Sequence, residues 1–182
     1  VSPNGLKAFG GKIGRRRMFA PGGQMSQMMA LSRFAILKIN DVLFVHGGIN
    51  NYISNNYTLN QINYLMRLYL MGQGSLINNK EFQKLFINGE SLLWNRKYST
   101  TKMTRPQCIS LSKMLRRYST NTLVIGHTPQ ENGINSDCNG KVWRIDTGVS
   151  EAFGKRNKSE QRIQVLEIVQ IKKNKKRFII HK

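Results

Sequence analysis

Leu43-Phe44-Val45-His46-Gly47-Gly48-Ile49 is a short apolar run that ends in a histidine followed by two glycines. Its length and β-branched content fit a buried strand. A strand end delivers a side chain to the edge of a sheet in a fixed direction. The glycines then allow a sharp turn and a close approach to the backbone. A neutral imidazole at such a point suits Zn, Mn or Fe. The same arrangement returns at Leu123-Val124-Ile125-Gly126-His127-Thr128-Pro129. Two strand-end histidines far apart in the chain can meet at one ion when their strands share a layered core. Between them lies Leu92-Leu93-Trp94-Asn95-Arg96-Lys97-Tyr98. An arginine between two aromatics is expected to be partly desolvated, and its planar fork can grip phosphate oxygens with two hydrogen bonds. Each feature has a blander use, as a structural histidine or a surface cation–π contact. His181, in a basic tail, carries no such signal.

Working outward, residues 1–23 combine Gly10-Gly11, Gly14, Arg15-Arg16-Arg17 and Pro21-Gly22-Gly23, and read as a basic, Gly-rich loop or linker. Gln24 to Arg33 places Met25, Met28, Met29 and Leu31 at helical spacing, with the methionines expected in the core. Phe34–Ile39 and Val42–His46 flank Asn40-Asp41 as a hairpin. Thr58 caps a helix running to about Met71, and Lys80–Phe86 is a shorter helix. Thr104–Tyr118 is another, with Pro106 near its first turn, where a missing N–H costs nothing. Strands are expected at Asn121–Ile125, Lys141–Ile145 and Ile163–Ile171, with an edge strand at Phe178–Ile180. Helices interleave with the earlier strands and not with the later ones. That order predicts an α/β (α+β) fold with a mixed sheet, or a pair of sheets, flanked by helices.

The chain has 182 residues, with 29 Lys and Arg against nine Asp and Glu, a formal charge of +20. Its 40% hydrophobic content is globular rather than disordered. The charge implies affinity for anions, whether phosphoesters, nucleic acid or acidic lipid, or simply solvated basic faces at Arg15–Arg17, Arg116-Arg117 and Lys172–Arg177. Zinc-finger spacing and aromatic-plus-basic RNA motifs are both absent, so nucleic acid is a possible partner but not the favoured one. Apolar runs fall well short of the roughly 20 residues that cross a bilayer, and the chain starts without a signal-peptide core. No membrane association is expected, and the localisation read from this is intracellular and cytoplasmic. Cys108 and Cys138 are not in a CxxC pair and read as free thiols of a reducing compartment.

Taken in order, HGG, LWxRxY, GHTxQxxGI, Cys138, WRIDxGxSxAFG and VLEI resemble the second half of the calcineurin-like metallophosphoesterases. The likeness is to the Shewanella-like branch of the Ser/Thr protein phosphatases. In this chain these segments are His46–Gly48, Leu92–Tyr98, Gly126–Gln130 with Gly133-Ile134, Trp143–Gly148 with Ser150, Ala152–Gly154 and Val165–Ile168. The resemblance spans about residues 19 to 168. It implies the C-terminal half of a β-sandwich flanked by helices, occupying 24–171, followed by a basic tail over 172–182. It implies two divalent ions, Mn, Fe or Zn, activating a water that attacks a phosphomonoester in line. Carried over by residue, His46 and His127 match metal ligands and Arg96 matches a phosphate contact. Asp146 and Tyr98 lie in matching motifs and are read as structural.

The family's first half carries GDxHG, GDxxDRG and GNHE, and none occurs here. Only Asp41, Asp137 and Asp146 supply aspartate, and none has the required spacing. The chain is therefore expected to be a fragment, with a split or decayed gene as the alternative. Alone it should be inactive, with the N-terminal half supplied in cis or in trans. The expected substrate is a phosphoprotein bearing phosphoserine or phosphothreonine. Two other readings stand beside it: a nucleotide or dinucleoside polyphosphate phosphoesterase of the same fold, and a non-catalytic basic module that binds nucleic acid or a protein.

Overall fold

The computed structural model describes residues 3–99, 102–150, 163–172 and 175–181. The chain opens with helices α1 (Pro3–Lys7), α2 (Gly11–Phe19) and α3 (Gln24–Ser32). Strands β1 (Ile36–Ile39) and β2 (Val42–Val45) follow as an antiparallel hairpin around Asn40, whose φ of 53° supplies the turn. Helices α4 (Asn51–Asn56), α5 (Leu59–Leu70), α6 (Lys80–Phe86) and α7 (Arg105–Arg117) connect β2 to β3 (Thr122–Ile125). Then come β4 (Asn135–Asp137), β5 (Val142–Arg144), β6 (Val165–Lys172) and β7 (Lys175–His181).

The main sheet has the order β1-β2-β3-β5-β4. Its middle three strands run parallel and its two edges antiparallel. Val45, Ile125 and Arg144 stand level across the three parallel strands, so their carboxyl ends open on one side. One sheet face buries Leu43, Val45, Leu123, Ile125 and Val142 against Ile53, Ile62, Leu111, Met114 and Leu115 of the helices. The opposite face carries Trp143, on which Phe178 of the β6–β7 ribbon stacks at 4.7 Å and 17°. Lys176 of that ribbon reaches Asp41 in the β1–β2 turn at 2.5 Å. Two of the helices start as the sequence predicts: Thr58 and Thr104 each form a reciprocal capping box, with Gln61 and Gln107.

Four sequence expectations need correction. Residues 1–23 contain two helices rather than a loop, because the glycines there serve close packing as well as breaks. A Cβ on Gly14 would lie 1.8 Å from the Phe9 carbonyl, and the Arg15 guanidinium lies over the adjoining rings of Phe9 and Phe19. The buried face of α3 is Ser26 and Ala30, not its methionines, and Leu31 is 76% exposed. Small residues fit that face because neighbours come close: Ser26 Oγ donates to the Phe19 backbone carbonyl at 2.8 Å, and the Arg67 side chain reaches over the helix to donate from Nε to Ala30 O at 3.1 Å. The edge strand expected at Phe178–Ile180 in the 172–182 tail is longer, Lys175–His181, because it pairs along β6, and its residues are exposed or half-buried. Finally, Cys108 and Cys138 are not free thiols: they form a disulfide across a Cα–Cα distance of 5.4 Å, tying α7 to the end of β4. The motif at Ala152–Gly154 lies outside the described residues.

Candidate functional site

His46 immediately follows β2, and Gly126-His127 follow β3, its parallel neighbour. The ladder between these strands continues one step past them, with Gly126 N–H donating to His46 O at 2.8 Å. That bond fixes the two histidine backbones relative to each other, and their rings lie 5.0 Å apart, edge toward face. The carboxyl ends of adjacent parallel strands are where open α/β sheets place ligands.

His127 itself has φ of 67°, in the left-handed region that β-carbons disfavour. Thr128 N–H donates to Gly126 O at 2.8 Å, which closes a three-residue turn around the histidine. A non-glycine residue held this way stores backbone strain, and strain of this kind gathers at functional positions. Trp94 meets the His127 ring edge-on at 5.4 Å. The Nε2 atom of His127 is shut off from solvent and has no hydrogen-bond partner among the described residues. Burial, aided by the positive Arg96 and by His46, pushes the His127 pKa down from its ordinary value of 6.5, against a weaker opposing pull from Asp146. The ring is therefore neutral at pH 7 and offers a lone pair for ligation.

The Arg96 loop docks directly on the HGG turn. Gly47 N–H and Gly48 N–H both donate to Leu92 O, at 2.8 and 3.3 Å. Asn95 is fully buried, accepts from Lys97 N–H at 2.8 Å and donates to Glu90 O at 3.2 Å. A Cβ at Gly47 would sit 2.9 Å from Leu93 O, and one at Gly48 would sit 3.1 Å from Asn95 Oδ1. The two glycines thus serve the approach of the loop as much as the turn. Arg96 is exposed, and it is Lys97 whose ammonium lies over the Tyr98 ring, at 5.8 Å. The expected clamping of Arg96 between aromatics does not occur, because Tyr98 is drawn wholly into the core.

Arg96 borders a cleft of about 610 Å³ lined by Ser99, Thr128, Gln130, Asn132 and Asn135, with Glu131 at its edge. Sequence reasoning missed this wall. Its organiser is Gln130, which donates to Thr128 O at 2.8 Å, accepts from Asn135 at 2.9 Å and receives Gly133 N–H. Asn135 in turn accepts from Arg144, a fully buried guanidinium that also donates to Tyr98 O at 2.8 Å and reaches Asp137 at 3.4 Å. This hydrogen-bonded chain ties the loop of Arg96 to the loop after His127. The sequence signal was Gln130 within the GHTxQxxGI segment, followed by the polar stretch Glu131-Asn132.

Of the three aspartates, Asp41 pairs with Lys176, and Asp137 is held by Arg144 and by the N–H groups of Met103 and Cys138. Asp146 follows β5 on the side of the histidines, and its Oδ1 accepts from Gly148 N–H at 2.9 Å. Among the described residues, one cluster brings three metal-type donors together: Cys108, Asp137 and Cys138. Its two sulfurs are spent in the disulfide, which leaves no metal site there. At the histidine pair, two neutral imidazoles fit a divalent ion as two of its ligands and cannot close the site themselves.

No family model matches the chain. It is 33% identical over 192 residues to protein R398 of Acanthamoeba polyphaga mimivirus, covering 92% of this chain and 75% of that protein. It is 33% identical to Shewanella-like protein phosphatase 1 of Plasmodium berghei, covering 63% of this chain and 32% of that one. With Shewanella-like protein phosphatase 2 of Arabidopsis thaliana the identity is 29%, over 79% of this chain and 36% of the relative. The cold-active protein-tyrosine phosphatase of a psychrophilic Shewanella species superposes with a TM-score of 0.55 and 34% identity, covering 64% of this chain and 34% of that chain. The chain thus spans about a third of the length of these phosphatases.

Proposed function

The chain belongs to the Shewanella-like protein phosphatases and has their metallophosphoesterase fold, and from that premise we propose that it forms the C-terminal part of a metal-dependent phosphatase acting on phosphoproteins. The observation that carries this reading is the meeting of His46 and His127 at 5.0 Å, on the carboxyl ends of neighbouring parallel strands, beside Arg96. His46 and His127 would each give a ring nitrogen to divalent metal, with the remaining ligands coming from the part of the phosphatase that this chain does not include. Bound divalent metal would lower the pKa of a water to make a nucleophile and neutralise charge on the phosphoryl oxygens.

The chain's own residues do the rest. Arg96, exposed at the mouth of the cleft, binds two phosphate oxygens with its fork and strengthens that grip as charge builds in the transition state. Trp94 holds the His127 ring edge-on, and the Gly126–His46 backbone bond keeps the two imidazoles in register. The amide-lined cleft beside Arg96 accommodates the substrate around its phosphate. The preferred substrate is phosphoserine or phosphothreonine in a protein.

The test is a panel run on the complete protein, containing phosphoserine, phosphothreonine and phosphotyrosine peptides and dinucleoside polyphosphates, with and without a chelator. Chelator-sensitive turnover of a phosphopeptide is expected. His46→Ala or His127→Ala should abolish it, and Arg96→Ala should lower kcat/KM by a factor on the order of 10². Faster cleavage of dinucleotides would replace the substrate assignment. Activity untouched by all three substitutions would overturn the site.

A further inference from the structure

Between Glu90 and Glu131 the chain has no acidic residue and seven basic ones. Three of them, Lys113, Arg116 and Arg117, lie at i, i+3 and i+4 on α7 and share one exposed face of that helix. The opposite face buries Leu111, Met114 and Leu115. The basic face borders α4, where Ser110 Oγ donates to Asn51 Oδ1 at 3.3 Å and Arg117 Nε to Asn55 Oδ1 at 3.0 Å. Two grooves result, of about 360 and 420 Å³. Both are lined by Ser54, Asn55 and Arg117, so the guanidinium stands where they adjoin. Neither is lined by a carboxylate. No ion pair among the described residues uses a cation of α7.

Cations in a last helical turn complement the helix dipole, which accounts for Arg116 and Arg117. Lys113 lies a turn earlier and gains nothing from that effect, yet it completes a row of three like charges. Such a row is self-repelling until an anion meets it. The groove floor offers side-chain amides and a hydroxyl, the groups that hydrogen-bond an extended peptide backbone. Two tyrosines line the larger groove and both are engaged: Tyr118 is buried and donates its hydroxyl to Tyr57 O at 3.0 Å, and the half-buried Tyr57 donates its hydroxyl to Glu81. The row sits at the C-terminal end of α7, which leads into the start of β3, whereas His127 follows the end of β3. The larger groove therefore lies toward the opposite end of the strand from the histidine pair, whereas the smaller one runs along α4 up to Asn51.

We propose that the α4–α7 grooves, which neither His46, His127 nor Arg96 lines, are a docking site for an acidic, Asp- and Glu-rich segment of a partner protein. The proposal is independent of the phosphatase reading, because binding is measured without turnover. The experiment is fluorescence anisotropy of a labelled oligo-glutamate peptide against the complete protein at low salt, with a single-stranded oligonucleotide of equal charge as competitor. The doubly reversed variant Lys113→Glu/Arg116→Glu should bind the peptide at least about tenfold more weakly. The variant Arg16→Glu/Arg17→Glu, on the distant α2, should bind within about twofold of the parent protein. Lys113→Gln/Arg116→Gln, which leaves the helix dipole less perturbed, should fall between, and circular dichroism checks that all variants are folded. Unchanged affinity in both α7 variants, a larger loss in the α2 variant, or no binding at low salt would each overturn the proposal. Tighter binding of the oligonucleotide, with loss on α7 substitution, would reassign the grooves to nucleic acid.

Discussion

At the residue scale, the functional end of the sheet depends on side chains that are absent as much as on those present. Gly47 has no room for a β-carbon, since the Leu93 carbonyl would be 2.9 Å away. Gly47→Ala must therefore push the Arg96 loop off the His46 turn. In the complete enzyme it should lower activity by an order of magnitude or more, while the folded state loses only about 1–3 kcal/mol by chemical denaturation. Parent-like activity would show that the loop position is not needed. His127 makes a second, electrostatic prediction. Burial first, then Arg96 and His46, depress its pKa in the folded state below the ordinary 6.5. The unfolded chain therefore binds the proton more readily, so this residue disfavours the folded state increasingly as pH falls below 6.5. Between pH 7.5 and 5, the melting temperature of His127→Gln should fall less than that of the parent chain. Parallel pH profiles would mean that the ring titrates alike in both states.

At the element scale, the sequence revealed most where one signal sufficed. Helix α5 was legible from its capping Thr58, α7 from Pro106 in its first turn, and the β1–β2 hairpin from Asn40-Asp41. The two histidines were legible as strand ends because each closes an apolar run at His-Gly or Gly-His, and it was their recurrence around Arg96, not either one alone, that separated them from structural histidines. Features that depend on distant partners were not legible. Helix α2 has no buried residue and is held by aromatic rings beneath Arg15. Strand β4 is three residues long and exists because Asn135 and Asp137 meet Arg144. The disulfide was invisible because pairing depends on α7 and β4 being neighbours, not on the spacing of 30 residues between the cysteines. That bond closes a long loop containing β3, so reducing it frees much unfolded-state entropy. Cys108→Ser/Cys138→Ser should destabilise the chain by about 2–4 kcal/mol. Denaturant melts with and without reductant check this, and the reductant should have no effect on the double variant. An unchanged midpoint for the parent chain under reduction would show that the cross-link adds nothing.

At the scale of the whole molecule, charge is the dominant imbalance. Twenty-nine cationic side chains face nine acidic ones, a net +20 on 182 residues. The two layers of the fold nevertheless place a favourable pair at their junction. The buried Lys176 ammonium of the ribbon meets Asp41, whose carboxyl is held below its usual range by Lys176 and Asn121 although burial opposes the shift. With Lys176 buried and Asp41 half-buried, this pair is less affected by salt than the surplus cations on the surface, which repel across distances comparable to a Debye length of about 10 Å at 0.1 M salt. Screening should therefore remove more repulsion than attraction. The melting temperature is expected to rise as sodium chloride goes from about 0.01 to 0.15 M, the reverse of a protein held by surface ion pairs. Acid should act in the opposite direction. Protonating Asp41 removes its stabilising contribution as pH drops below the ordinary 3.8 and through its lowered folded value. Each protonated carboxylate also adds to the positive charge. Asp41→Asn should weaken the acid dependence and leave the salt dependence in place, since it removes one of nine acidic residues and the cationic excess persists. A melting temperature that falls on adding salt would show that local pairing, not net charge, sets the stability of this chain.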